Sequence, residues 1–380
     1  MRRQGPPDNH QYRDDVSLTD AITAARFFDG TRMHGPSVIT VSEGTVRSIA
    51  PFEGVPDHHL LVPGYVDLQM NGFDDVDCAD ADADNLARLD GMLAQAGTTS
   101  YLATLITDDL AAMSRRVEHI SGAGLEGCVG IHLEGPFIGS ATGAHPRALV
   151  AEPDIGWLES LPGTVRLVTV GIEHERSTDA IRALRERGVI ASIGHTRPSR
   201  EQWEAAVAAG AQMVTHLFNA MSGVHHREFG VALAALTDDR VVTGLIADTH
   251  HVQPAAVSVA FAVKPSGVCL VSDSIAWRAA WAQRAGVRVV NGVPTLGDGT
   301  LAGSATPLGE CVRNAVTECG VELSTALRAA TSVPARLLGR RDIGVIETGM
   351  SCDMVACDDS LRVVHTWRRL QSLRGFQTDI

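Results

Sequence analysis

Residues 189–220 read VIASIGHTRPSREQWEAAVAAGAQMVTHLFNA. A short β-rich run, VIASIGHT, gives way to SREQWEAAVAAG, whose apolar residues recur at helical spacing, and a second β-rich run, AQMVTHLFNA, follows. Two strands joined through a helix run parallel, because the helix carries the chain back to the starting edge of the sheet. The same unit repeats outward in both directions. Upstream lie YVDLQMNG (65–72), TTSYLATLIT (98–107), GCVGIHLEGP (127–136) and VRLVTVG (165–171); downstream lie VVTGLIADTHH (241–251) and VCLVSDS (268–274). NLARLDGMLAQAG, STDAIRALRERG and PAAVSVAFAV are helical segments between them. Eight such runs predict an α/β fold in which a (β/α)8 TIM-type barrel closes on itself and leaves no sheet edge.

The barrel is expected over residues 64–335, its end marked by two further helices in GECVRNAVTECG and ELSTALRAATSVPARLLG. The stretches 21–63 and 336–380 are β-like instead and predict a small β-sandwich-like domain built from both termini, preceded by a flexible tail over residues 1–20. That tail is polar and lacks the apolar core of a signal peptide.

Composition narrows the function. With 44% hydrophobic residues the chain of 380 is no disordered protein, and its Ala/Val/Leu stretches are interrupted too often to span a membrane. A net charge of −13 argues against nucleic acid or an anionic membrane as partner, so an anionic ligand must meet a local positive cluster. Lysine occurs once, as Lys264. The seven cysteines include no CxxC pair, which predicts reduced thiols in a cytoplasmic protein rather than a disulfide framework.

In a parallel barrel the chemistry belongs at the C-terminal strand ends. Those ends carry Gln69 and Asn71, Thr104, Glu134, His195, His216 and Asn219, Asp248 with His250 and His251, and Asp273. A lone buried histidine is more often a hydrogen-bonded core residue. One carboxylate and two imidazoles at three strand ends, Glu134, His195 and His216, form instead the ligand set of a catalytic divalent metal with an open position. Asp273 then suits a proton acceptor for an activated water, the plainer alternative being a cap on the turn after it.

The motifs HLEGPF, TGAH, SIGHT, THLFNAMS, IADTHHV, LVSDS and LAGSATPLGECVRNAV, in this order, resemble those of the N-acetylglucosamine-6-phosphate deacetylases of the amidohydrolase superfamily, over about Ala21 to Asp358. The resemblance implies metal-dependent removal of an N-acetyl group from a phosphorylated amino sugar, in amino-sugar catabolism. It implies one divalent ion per subunit, with zinc expected and iron, cobalt or manganese as alternatives, held by Glu134, His195 and His216. Asp273 corresponds to the family's acid/base, and His145 to a contact with the amide carbonyl or sugar hydroxyls. Asn219, Ala220, Arg227 and His251 correspond to its phosphate contacts, some of them supplied across a homodimer. Where other superfamily members carry an HxH pair on the first strand, this chain has Gln69 and Asn71, so a single ion is expected, with Gln69 at most a distant or water-mediated contact. Lys264 lies just before the eighth strand, which excludes a lysine-bridged metal pair. The 6-phosphate of N-acetylgalactosamine is the alternative substrate. A barrel that binds without catalysis is the alternative of another class.

Overall fold

The computed structural model describes residues 20–374 except 291 and 370; of the expected tail over residues 1–20, residues 1–19 lie outside the described residues, as do 375–380, and Asp20 begins a strand. Eight parallel strands form the central sheet: β1 (Tyr65–Met70), β2 (Thr98–Ile106), β3 (Cys128–Glu134), β4 (Val165–Val170), β5 (Ile190–Ile193), β6 (Met213–Val214), β7 (Val242–Leu245) and β8 (Val268–Leu270). They pair in chain order from β1 to β8. The seam between β8 and β1 closes just beyond the strands, where Asp273 N donates to Gln69 O (2.9 Å) and Asn71 N to Ser274 O (2.8 Å). All eight β-rich runs of the sequence are therefore barrel strands.

The helices between them start and stop where their sequences dictate. Asp82 caps α1 (Ala83–Gln95) and Asp109 caps α2 (Leu110–Gly122) through side-chain acceptance of a first-turn N–H. Asp154 does the same for the short α3 (Ile155–Ser160), and α4 spans Ser177–Glu186. Ser199 and Gln202 form a reciprocal capping box on α5 (Arg200–Ala209), which ends on Gly210 at φ 118°. Then come α6 (Val231–Thr237) and α7 (Pro254–Val263).

Beyond β8 a short α8 (Ala280–Arg284) and a hairpin of Arg288–Val290 with Val293–Thr295 precede α9 (Leu308–Thr317). The segment read as one last helix is split into α10 (Leu323–Ala330) and α11 (Ser332–Leu337), so three helices rather than two follow the hairpin. Thr331, at φ −130° and ψ −85°, breaks the helix, and Pro334 has no N–H to carry the ladder through. The break turns Val333, Ala335 and Leu338 into one apolar cluster with Val66, Leu68, Leu102, Leu167 and Met213 from the strands and Val271 just after β8.

Strands from both ends of the chain share one mixed sheet, in the order Gln371–Arg374, Val363–Arg368, Met354–Cys357, His58–Pro63, Asp20–Phe28, Ser37–Ser42, Thr45–Pro51. Its apolar face packs Ile22, Phe27, Ile39, Val41, Leu61 and Met354. Arg368 anchors this sheet to the barrel. It is 2% exposed, and its guanidinium reaches Asp90 of α1 at 2.7 Å, while Asp90 also accepts from Gly127 N. An ion pair so buried is costly to break from one side, because the surviving charge has no water to turn to. All seven cysteines are free thiols. Among the described residues, no helix is long and apolar enough to cross a membrane.

Candidate active site

Strand alternation aims every second residue into the barrel, and the interior layer beneath the strand ends is polar. Thr104, His132, Thr169, Ser192 and Thr215 are fully buried there and joined by hydrogen bonds. His132 Nδ1 meets Thr104 Oγ1 at 3.3 Å and its Nε2 meets Thr169 Oγ1 at 2.8 Å. Thr215 Oγ1 bonds in turn to Thr169 (2.8 Å) and Ser192 (2.6 Å). His132 stands two residues before Glu134 and so faces the same side, yet both its ring nitrogens are engaged. Burial lowers its pKa to about 4, which keeps it neutral. It is the hydrogen-bonded core histidine of this barrel.

One layer higher, Glu134, His195 and His216 converge. Glu134 Oε1 lies 3.2 Å from His195 Nε2 and 3.0 Å from His216 Nε2, and the two imidazole nitrogens are 3.0 Å apart. Two donors on one zinc-like ion, each about 2.0–2.1 Å from it, stand roughly 3.3 Å apart, so these separations suit a shared ion. The proton arrangement points the same way. His195 Nδ1 is 3.0 Å from the carbonyl oxygen of Ala141, which can only accept. Nδ1 therefore carries the proton, and Nε2 turns a lone pair toward the Glu134 carboxylate. Two lone-pair atoms so close repel unless a cation lies between them, and the donor set fits a divalent metal on that ground.

Burial acts to raise Glu134, but the His195 and His216 rings beside it outweigh that and hold the carboxyl well below its usual range. Burial works against charge on His216, yet Glu134 and Asp273 together raise it above its ordinary value. His216 Nδ1 is buried without a partner, which departs from the usual pattern of a ligand histidine braced through its second nitrogen.

His145 stands beside the same point, within 4.8 Å of Glu134 and His195. Its Nε2 is 3.8 Å from Glu134 Oε2, looser than the three contacts above. Its Nδ1 lies 2.7 Å from the Thr107 hydroxyl, and burial lowers its pKa to about 3. The Thr107 hydroxyl also donates to Glu134 O at 3.4 Å, so it ties the His145 ring to the strand that carries Glu134, and Nε2 is the nitrogen turned to the cavity.

Asp273 caps no turn. Its Oδ1 accepts from Asn71 Nδ2 (2.9 Å) and Gln69 Nε2 (3.1 Å), and burial with the nearby Glu134 raises its pKa to about 7. Gln69 Nε2 also donates to Glu134 Oε1 at 3.0 Å. The amide thus bridges the two carboxylates with its nitrogen and orders the site rather than coordinating. Three of these residues adopt left-handed backbone as they leave their strands: His195 at φ 50°, His216 at φ 27° and Asp273 at φ 47°. Each costs about 1–2 kcal/mol relative to ordinary backbone. Such conformations persist only where the surroundings enforce them.

These groups line a cavity of about 510 Å³, within the usual range for small-molecule sites. Glu134, His145, His195, His216, Asn219, Ala220, His251 and Asp273 all border it. Ala220 has φ 47°, and His251 bonds through Nδ1 to Asp248 Oδ2 at 2.7 Å, leaving Nε2 for a ligand. Arg227 is not among the lining residues; its loop, with His225 and His226, is largely exposed. The guanidiniums that do line the cavity are Arg147 and Arg197. Sequence spacing did not reveal them, nor Asp77 and Trp281 of the cavity wall. Arg197 sits in a loop, Arg147 in a single 3-10 turn, Asp77 in a two-residue strand and Trp281 in the short α8, all too brief for periodicity to mark direction.

Comparison with known proteins points one way. The amidohydrolase family profile matches residues 60–378. An N-acetylglucosamine-6-phosphate deacetylase of Homo sapiens is 36% identical, the match covering 81% of this chain and 82% of that protein. An N-acetylgalactosamine-6-phosphate deacetylase of Escherichia coli O157:H7 is 33% identical over 92% of this chain and 98% of its own. Among solved structures, a mutant N-acetyl-D-glucosamine-6-phosphate deacetylase from Mycobacterium smegmatis, in complex with N-acetyl-D-glucosamine-6-phosphate, superposes with a TM-score of 0.86. It is 31% identical, and the match covers 94% of this chain and 99% of that one.

Proposed function

The chain belongs to the amidohydrolase family, within its N-acetylglucosamine-6-phosphate deacetylase branch, and from that membership we propose that it hydrolyses the N-acetyl amide of N-acetyl-D-glucosamine 6-phosphate, giving D-glucosamine 6-phosphate and acetate. The observation that carries this reading is the convergence of Glu134, His195 and His216 beside Asp273 in one cavity. Those three residues would hold the ion. A carboxylate with two imidazoles suits zinc, with iron, cobalt and manganese as alternatives. A divalent cation there supplies Lewis acidity, lowering the pKa of a water and polarising the acetyl carbonyl.

The remaining work falls to side chains of this chain. Asp273 takes the proton of the attacking water and returns it to the amide nitrogen, which leaves poorly without it. Asn71 and Gln69 aim its carboxylate by holding one oxygen and leaving the other to the reaction. His145, protonated on Nε2, donates to the oxyanion as the carbonyl becomes tetrahedral; its ring, held at Nδ1 by Thr107 and kept neutral by burial, adds no extra charge to the site. Asn219, the backbone at Ala220, and His251 are placed to hold the sugar phosphate, with Arg147 and Arg197 supplying positive charge at the cavity wall. Arg227, on its exposed loop, would reach the phosphate of a neighbouring subunit in a homodimer. The free thiols fit a cytoplasmic setting.

The test is acetate release by the purified protein with measured metal content. N-acetylglucosamine 6-phosphate, its galactosamine epimer and unphosphorylated N-acetylglucosamine are the substrates to compare. Turnover should be fastest on the first and weakest on the third. The galactosamine reading, which the Escherichia coli relative keeps open, gains if the epimer turns over faster. Stoichiometric metal with no acetate from any sugar would leave a binding barrel.

A further inference from the structure

We propose that Glu173 is the positioning residue of this site: a clasp that sets His195 and locks the loop carrying His145 onto it. Glu173 follows β4, a strand that contributes no ligand. Its Oε1 accepts from Ser140 N (3.1 Å) and from the Ser140 hydroxyl. Its Oε2 accepts from the Thr196 hydroxyl, and the backbone N–H of Arg197 donates to the same carboxylate. Four donors and no acceptor face this group, which is the complement of an ionised carboxylate.

Both arms of the clasp end on His195. Thr196 is its neighbour in sequence, and the Thr196 hydroxyl, having given its proton to Glu173, accepts from Ile172 N at 3.0 Å. That tethers the chain directly after a histidine at φ 50°, a conformation that needs outside support. On the other arm, Ser140 precedes Ala141, whose carbonyl receives His195 Nδ1 and sets which nitrogen faces Glu134. Between the arms, Gly139 N donates to His195 O at 2.9 Å. The fit allows no side chain there: a Cβ on Gly139 would sit 1.6 Å from Glu173 Oε2, and one on Gly171 would sit 2.0 Å from Gly139 N. The next residue, His174, secures the loop a second time, bonding Ile138 O at 2.8 Å and Glu152 at 2.7 Å. Without the carboxylate, both the orientation of His195 and the seat of His145 lose their common support.

This inference rests on the reading of Glu134, His195 and His216 as an ion site, and its test separates the two. Glu173→Ala, Glu173→Gln and Ser140→Ala are made in the full chain. Affinity for Zn2+ is measured by competition with a chromophoric chelator, and tryptic cleavage after Arg147 is timed on metal-free protein. Loss of support behind a metal ligand weakens binding about 10- to 100-fold, which is expected of Glu173→Ala. Glu173→Gln should fall between it and wild type, because an amide keeps one acceptor oxygen but faces an N–H donor with its own NH2. Ser140→Ala, which deletes one exposed hydroxyl, should speed cleavage and weaken Zn2+ binding less than either Glu173 variant. Glu173 variants that bind Zn2+ as tightly as wild type and are cleaved no faster, whatever their melting temperature, would overturn the proposal and leave Glu173 a brace of the fold. If Glu173→Ala does not fold, the other two variants decide by the same readouts. Wild-type protein that takes up no Zn2+ would instead defeat the ion site, while the cleavage rates would still report on the clasp.

Discussion

Replacing Asp273 by asparagine separates proton transfer from everything else the residue does. The carboxylate accepts from Asn71 Nδ2 at 2.9 Å and Gln69 Nε2 at 3.1 Å. An asparagine oxygen at the same place accepts from both, so Asp273→Asn keeps the two buried amide N–H donors paired. Alanine would not: two donors would lose their partner, at about 1–3 kcal/mol each, and the outcome would mix misfolding with chemistry. What asparagine cannot do is take up a proton and give it back. General acid–base assistance is worth about 10²- to 10⁴-fold, and in the proposed reaction one group serves both the attack and the departure of the amine. A loss of about 10³- to 10⁴-fold in kcat is expected, or about 4–5 kcal/mol on the barrier. Acetate release gives kcat, calorimetry with N-acetylglucosamine 6-phosphate gives the Kd, and elemental analysis gives metal content. The last two should stay within about threefold of wild type, since the neutral amide keeps the hydrogen bonds that shape the site. A variant turning over within tenfold of wild type would show that the proton travels by another route, and the assignment of Asp273 would be wrong.

Three further outcomes follow from the same geometry. Glu134→Gln keeps the shape but removes the only anion among the three converging groups, and should reduce metal affinity at least about 100-fold by chelator competition; native metal content after dialysis would refute it. Thr107→Val removes the hydroxyl that holds the His145 ring at Nδ1, and should lower kcat about 10- to 100-fold with metal content unchanged; an unchanged kcat would take His145 out of oxyanion stabilisation. Asp67 is fully buried, and burial raises its pKa from 3.8 to about 6. The folded chain therefore keeps this proton over a range in which the unfolded chain has released it, so stability falls as pH rises from about 4 to 6, by roughly 3 kcal/mol. Urea unfolding of metal-free Asp67→Asn should lack that decline, and parallel pH profiles for the two proteins would contradict it.

The barrel was legible because its periodicity is local. Each strand needs only a short apolar run, and each helix only apolar positions on one face, so VRLVTV and REQWEAAVAA announce themselves without their partners. The break at Thr331 was not legible: Ala/Leu/Arg-rich sequence on both sides is helical in propensity, and the kink answers to packing beneath the barrel. The polar groups at strand ends were visible for a related reason, since each stands a fixed step past an apolar run. That rule flagged Glu134, His195, His216 and Asp273.

Sequence by itself determined the order of strands and helices, the ligand types at the strand ends and, through its motifs, the family. Tertiary structure decided which of those polar groups share a point in space. His132 and Glu134 face the same interior from one strand, yet one became core and the other a candidate ligand, because Thr104 and Thr169 reach only the deeper ring. Arg147 and Arg197 reached the cavity wall while Arg227 stayed outside it, a matter of how loops fold over the barrel mouth. Distances between residues far apart in the chain follow from closure of the whole barrel, and no local spacing records them.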